Sequence, residues 1–336
     1  MAADGQLVLG SVYFYAPNKG AAIFGTIAFA ISTGIHVWQC LKLQSLAITA
    51  LIPVASLLYT AGFALRCYGA WNYGDVNVYL ASTVLVYVAP PIYELANYHM
   101  LGRILYYVPY CSPIHPGRSL TTFGALSAVV EILNGMGVSW SVNQSVPLHL
   151  ARVGENLLKA SLIVQIVVIL IFVSFVGWFQ YLMHREGVHP ANVKSAILTM
   201  YITSSLVFIR CIYRVVEHFA AEAVPRLVGT DIDAISPVIR WEWYFYVFEI
   251  IPMLTYTYLW NIRHPRHYLP ENHRVYLCKD GRTEKVGPGW IDDRGFVVTA
   301  VDPFGWLRGR KAEKKKPFWE EDEEPGETAS AQVAAA

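Results

Sequence analysis

Charge is scarce in this chain. Lys, Arg, Asp and Glu make up 15% of its 336 residues, while hydrophobic residues reach 54% and mean hydropathy is +0.36. Soluble domains carry roughly 25% charged residues. So much apolar surface exceeds what one soluble core can hide, and the remainder needs lipid. A net charge of +1, with no basic face beyond Lys314-Lys315-Lys316, excludes nucleic acid as a partner. The five cysteines, Cys40, Cys67, Cys111, Cys211 and Cys278, are far apart and form no CxxC. That spacing excludes a disulfide scaffold and a zinc site. No Walker A motif is present, and no 20- to 50-residue repeat, which counts against an ATP-driven pump and an inverted-repeat transporter. The first residues lack a basic region followed by a short apolar core, so the first span is expected to act as the targeting signal.

The charge that exists is unevenly placed. Residues 1–261 hold 13 Lys+Arg and 12 Asp+Glu, whereas residues 262–336 hold 13 of each. A bilayer core about 30 Å thick needs around 20 mostly apolar residues. Seven stretches qualify: Ala21 to Leu43, Leu46 to Cys67, Val78 to Leu101, Leu120 to Trp140, Leu157 to Met183, Lys194 to Phe219 and Trp241 to Ile262. Only the fifth is nearly free of polar groups, so the others are expected to pack together around a polar interior. Aromatic residues near the ends, among them Trp38, Trp71, Trp140, Trp178, Trp243 and Trp260, mark the headgroup level.

Basic residues set the orientation. Lys42, Arg103, Arg118, Arg185, Lys194, Arg263, Arg266 and Arg274 flank one side, against Lys19, Arg66, Arg152, Arg226 and Arg240 on the other. This excess places the N-terminus outside. The expected architecture is an all-α integral membrane protein: a seven-transmembrane helix bundle with an external N-terminus and a cytoplasmic C-terminal tail. Its parts are residues 1–19 outside, 20–262 in the membrane and 263–336 in the cytoplasm. The sequon at Asn143 falls in a loop this orientation puts outside, where it is either a glycosylation site or a coincidental triplet. In the tail, DG and GPG turn signals between apolar residues suggest a small hairpin-like unit. After about residue 308 low complexity predicts disorder, with a basic half that either meets anionic headgroups or is simply solvated.

Ionisable groups inside a membrane persist mainly where they are paired or beside water. Steps of four and three residues put Arg210, Arg214 and Glu217 on one face of span 6. Glu131 and Asn134 share a stripe on span 4, as do Glu242 and Glu249 on span 7, and span 3 carries Glu94. Depth arithmetic at 1.5 Å per residue brings Arg210 level with Glu131 and Glu249. An ion-paired polar core is therefore expected in the outer half, with Arg214, Glu217 and Glu242 extending it to the outer surface. Its carboxylates would receive the amine of an amphipathic lipid while its arginines hold phosphate; equally, the charges could only pin helices together. Glu94 sits deeper and has no evident partner. His36 reads as a hydrogen-bonded bundle residue, and Pro90-Pro91 as a kink in span 3.

These residues also resemble a known family. IRCIYRVVE (Ile209 to Glu217), WEWYFYVFEIIPM (Trp241 to Met253) and His264-Pro265 are similar to the signature of the fungal lipid-translocating exporter family, the RTA-like seven-span proteins. Further matches are Tyr13-Phe14-Tyr15-Ala16-Pro17-Asn18, Gly62-Phe63-Ala64-Leu65-Arg66, Ala89-Pro90 with Tyr98, Leu101-Gly102-Arg103, Gly154 and Gln165. The likeness runs from about residue 13 to 270. Departures are Tyr59, where the family commonly has Glu, and Ser127 and Asn134 at its usual acidic and Gln positions in span 4. The resemblance implies a handler of membrane lipids or amphiphiles of the sphingoid-base or sterol-like class, conferring resistance to toxic amphiphiles. It supplies no catalytic residues and no cofactor. The plasma membrane is the expected location, with an internal membrane as the alternative.

Two rivals were weighed. A seven-transmembrane receptor or sensor of a lipid would share the topology, but span 3 ends in LGRILYY rather than an Asp-Arg-Tyr switch. An intramembrane hydrolase needs several histidines converging on zinc, and no span carries HxxxH. The expectation is a non-enzyme without metal.

Overall fold

The computed structural model describes residues 15, 17–72, 74–142, 147–227, 236–289, 298, 299 and 319. The Asn143 sequon and the stretch expected to be disordered lie outside the described residues, Trp319 excepted. Helix α1 is Lys19–Lys42, begun by the Asn18 side chain, which accepts from the Ala21 N–H at 3.1 Å. Next come α2, Leu51–Gly69, and α3, Val76–Tyr107, whose Asp75 cap accepts from the Asn77 and Val78 N–H groups. Helix α4 is Pro116–Val142, α5 Leu148–Arg185 and α6 Ala191–Leu227. Among the described residues six helices are long and apolar enough to cross a membrane. The seventh, α7, is assembled from Trp243–Phe245, a π-helical turn at Tyr246–Ile250, and Ile251–Ile262. Together these span residues 243–262, about 30 Å at helical rise. The protein is thus a seven-helix membrane bundle.

One boundary differs from expectation for a reason visible in the sequence. Span 2 divides into a turn at Leu46–Thr49 and α2 proper, because Pro53 has no N–H for the Thr49 carbonyl. Pro90 and Pro91, by contrast, lie within one uninterrupted α3. Neighbouring helices supply the packing that lets a membrane helix tolerate them.

Helices adjacent in sequence are adjacent in space, α7 closes the ring onto α1, and α3 crosses the interior to touch α6. From Tyr93 to Pro109 nearly every residue of the α3 segment is buried. Apolar side chains such as Phe24, Ile27 and Ile31 of α1 and Val167, Leu170 and Ile171 of α5 face outward, as lipid demands. The centre is an aromatic file: Phe29 stacks on Tyr59 (centroids 4.5 Å apart), Tyr59 on Tyr93 (6.0 Å), and Tyr93 meets Tyr256 (4.5 Å). A Cβ at Gly62 would stand 2.9 Å from Val86 Cγ2, so this glycine permits the close approach of α2 and α3.

Beyond α7, strands β1 (Val275–Leu277) and β2 (Glu284–Val286) pair antiparallel, with Tyr276 opposite Lys285. Asp280 accepts from the Arg282 and Thr283 N–H groups, and Gly281 takes φ +68, the conformation that favours glycine. The Thr283 hydroxyl, which also donates to this carboxylate, and with it these N–H groups hold the Asp280 carboxyl down at about 2. The hairpin docks on the end of α3: Tyr107 donates to Glu284 Oε1 (2.6 Å), and Tyr106 accepts from the Gly289 N–H (2.9 Å).

Candidate functional site

Near the N-terminal end of the bundle, α6 presents Arg210 and Arg214 one turn apart toward α7. Both arginines converge on one carboxylate. Arg210 Nε donates to Glu249 Oε1 at 3.1 Å and Arg214 Nε to Glu249 Oε2 at 2.6 Å. Glu249 is fully buried and the arginines are 3% exposed. A carboxylate so enclosed can remain charged only because both oxygens are engaged by guanidinium groups. Glu249 owes its aim to the π-helical turn, in which the Ile251 N–H reaches back five residues to the Tyr246 carbonyl. Pro252 follows immediately and cannot donate to Phe248. Such wide turns cluster at functional positions.

The network continues toward the end of the bundle. Arg214 Nη1 donates to Glu217 Oε2 (2.5 Å) and to the Tyr87 hydroxyl (2.7 Å), while Tyr213 donates to Glu217 Oε1 (3.0 Å). A second pair lies beside it: Arg66 Nη2 donates to Glu242 Oε1 (2.7 Å) and to Tyr15 (3.2 Å). The Asn18 N–H closes the other Glu242 oxygen at 2.6 Å. Three arginines, Arg66, Arg210 and Arg214, thus balance three glutamates, Glu217, Glu242 and Glu249.

A half-open cavity of about 270 Å³ adjoins this network, lined among others by Tyr15, Arg66, Tyr87, Tyr213, Arg214 and Glu217. Arg214 Nη2 is shielded from solvent and has no hydrogen-bond partner among the described residues, so the wall carries a spare donor. His218, Ser82 and Thr83 add polarity, and Val86, Val238 and Phe245 supply apolar surface. The mixture suits a molecule with a polar head and an apolar body.

Of the residues singled out from the sequence, Arg210, Arg214, Glu217 and Glu249 come together as one network, with Glu242 beside it. Arg210 takes Glu249 rather than Glu131, the other carboxylate at its level. Glu131 stays half-buried on α4, near Asn134, and Asn134 Oδ1 accepts from Ser161 (2.5 Å). Glu94 belongs to a separate patch, where Gln165 Nε2 donates to Oε1 (2.7 Å) and Tyr98 to Oε2 (3.1 Å). Pro90 and Pro91 lie three and four residues beyond Tyr87, on the helix that walls the cavity. His36 contacts the Thr257 carbonyl and hydroxyl, both at 3.1 Å, within a chain of hydroxyls that includes Ser32, Ser56 and Tyr93. Sequence reasoning does not bring Tyr87 and Tyr213 into the site, and it names Tyr15 and Arg66 only among the family-like segments and, for Arg66, the basic flank. The place of Arg66 one turn from the end of α2 matches Glu242 at the start of α7.

The signature segments therefore build most of the network: Ile209 to Glu217 supplies Arg210, Arg214 and Glu217, and Trp241 to Met253 supplies Glu242 and Glu249. A family model described as RTA1 like protein matches residues 52–272. The chain belongs to the RTA1-like family. It is 43% identical over 317 residues to the lipid-translocating exporter-like protein RTA1 of Leptosphaeria maculans, covering 89% of this chain and 60% of that protein. A protein of the same name from Ajellomyces capsulatus is 25% identical, with 85% of this chain and 89% of the relative covered. Protoporphyrin uptake protein 1 of Saccharomyces cerevisiae is 24% identical, with 72% and 88% covered. This chain spans about 60% of the length of the Leptosphaeria protein. No solved structure matches it.

Proposed function

We propose that this RTA1-like protein is a non-enzymatic carrier that moves an amphipathic lipid of the sphingoid-base class between membrane faces and so confers resistance to toxic amphiphiles. The observation that carries this reading is the cavity beside the Arg214–Glu217 pair. Its carboxylate and tyrosine hydroxyls suit a cationic or hydroxylated headgroup, its arginines a phosphate, and its apolar wall the start of a hydrocarbon chain. The names of the Leptosphaeria and Ajellomyces relatives, lipid-translocating exporter-like proteins, support lipid as cargo.

In this reading Arg210 and Glu249 hold α6 and α7 in register beneath the cavity, while Arg214 and Glu217 meet the headgroup. The N-terminal end of the bundle faces outside, at the plasma membrane. The test is release of a labelled long-chain base from fungal cells with and without the protein. Faster release with the protein, and none for labelled phosphatidylcholine, is the expected result. Equal release in both strains refutes the assignment.

A further inference from the structure

Among the described residues four arginines are buried: Arg66, Arg103, Arg210 and Arg214. Three of them hold a glutamate. Arg103 does not. It is 7% exposed, its Nη2 donates to the Pro270 carbonyl at 3.2 Å, and its Nε and Nη1 are shielded with no acceptor. Around it stand Arg266, the imidazoles of His99 and His273, and the Tyr106 phenol, with no carboxylate among these groups. Arg266 is engaged by Glu271 on the exposed side and by the Leu43 carbonyl. A guanidinium removed from water without an anion is unfavourable, and the unpartnered Nε–H and Nη1–H donors suit the oxygens of a phosphate.

The surroundings extend this point into a site. His99 lies one helical turn from Arg103 and Leu95 one turn further, so the three share a stripe of α3. Leu95 and His99 line an open groove of about 520 Å³, with Leu46, Leu51, Leu120 and Gly124. The groove is mostly apolar, and its wall on α3 begins at His99, one helical turn from Arg103. We propose that the hairpin end of the bundle binds an anionic phospholipid, with its phosphate on Arg103 and Arg266 and an acyl chain in this groove. The site is separate from the cavity at the opposite end and does not depend on what that cavity carries.

The test is thermal unfolding of the full chain purified in detergent, titrated with phosphatidylserine, phosphatidylcholine or inorganic phosphate. Phosphatidylserine should raise Tm saturably, by about 4 °C, and the other two should not. Arg103→Gln, which removes the charge, and Thr121→Phe, which fills the groove lined by Thr121, should each abolish that rise. An equal rise with phosphatidylcholine, or with inorganic phosphate alone, overturns the proposal. So does a full phosphatidylserine response in Thr121→Phe. Should Arg103→Gln fail to fold, native mass spectrometry of the wild type decides: retention of phosphatidylserine over phosphatidylcholine, lost in Thr121→Phe, supports the site, and equal retention refutes it.

Discussion

Replacing Glu249 by Gln leaves the shape of the side chain and one oxygen acceptor but removes the charge that two buried arginines share. The contacts at risk are the 3.1 Å bond from Arg210 and the 2.6 Å bond from Arg214. Breaking a buried ion pair by removing one partner costs about 3–5 kcal/mol, because the other charge remains buried and uncompensated. Arg214 keeps Glu217, at 2.5 Å, so the main loss falls on Arg210. Each kcal/mol moves Tm by about 2–4 °C in a chain of moderate size, so Glu249→Gln should melt roughly 6–20 °C below wild type in detergent. The double variant Glu249→Gln with Arg210→Met should recover at least about 1 kcal/mol, since an apolar side chain of similar length carries no orphaned charge. Melting within about 2 °C of wild type for the single variant, or no recovery in the double, would refute the view that this pair is charged and mutually dependent.

The second pair gives a parallel case: Arg66→Ala and Glu242→Ala should show a coupling of about 1–3 kcal/mol in a double-mutant cycle of thermal stability, and additivity would contradict the pairing. Gly62→Leu, which drives a side chain into Val86 and the Ser82 carbonyl, should cost about 1–3 kcal/mol or more and lower surface abundance. At the hairpin end, burial, with His267 and Arg266 beside it, pushes His264 down from its ordinary 6.5 to about 4. Protonation then favours the unfolded chain, so stability is whole above pH 6.5 and falls as pH drops toward 4. In full this shift is worth roughly 3 kcal/mol, which screening at the aqueous boundary reduces to about 1–2 kcal/mol. His264→Asn, keeping an acceptor for the Arg266 N–H, should flatten that part of the stability profile, and an unchanged profile would count against His264 as its source.

Much of the bundle could be read directly from the residues, because insertion in lipid imposes length and apolarity on each span before any packing is known. The Arg210, Arg214 and Glu217 face was equally legible, since four- and three-residue steps fix a helical stripe. Choosing Glu249 over Glu131 was not. Depth arithmetic places both carboxylates at one level, and only the packing of α6 against α7 selects between them. The Glu94–Gln165 bond joins residues 71 positions apart, a pairing that depends on how helices neighbour one another and leaves no local trace. The π-helical turn at Tyr246–Ile250 escaped because periodicity assumes a uniform helix. Its signal was Pro252, whose missing N–H forces the preceding turn to find other partners. Resemblance added the family, while the tyrosines around the cavity needed the fold.

The central claim is that the cavity beside Arg214 and Glu217 is the path of the lipid. Thr83→Trp places a large ring in that cavity without removing any member of a charged pair. Release of the labelled long-chain base should fall to the level of cells lacking the protein, at unchanged surface abundance and unchanged Tm. Release at the wild-type rate with the cavity so filled would contradict the account.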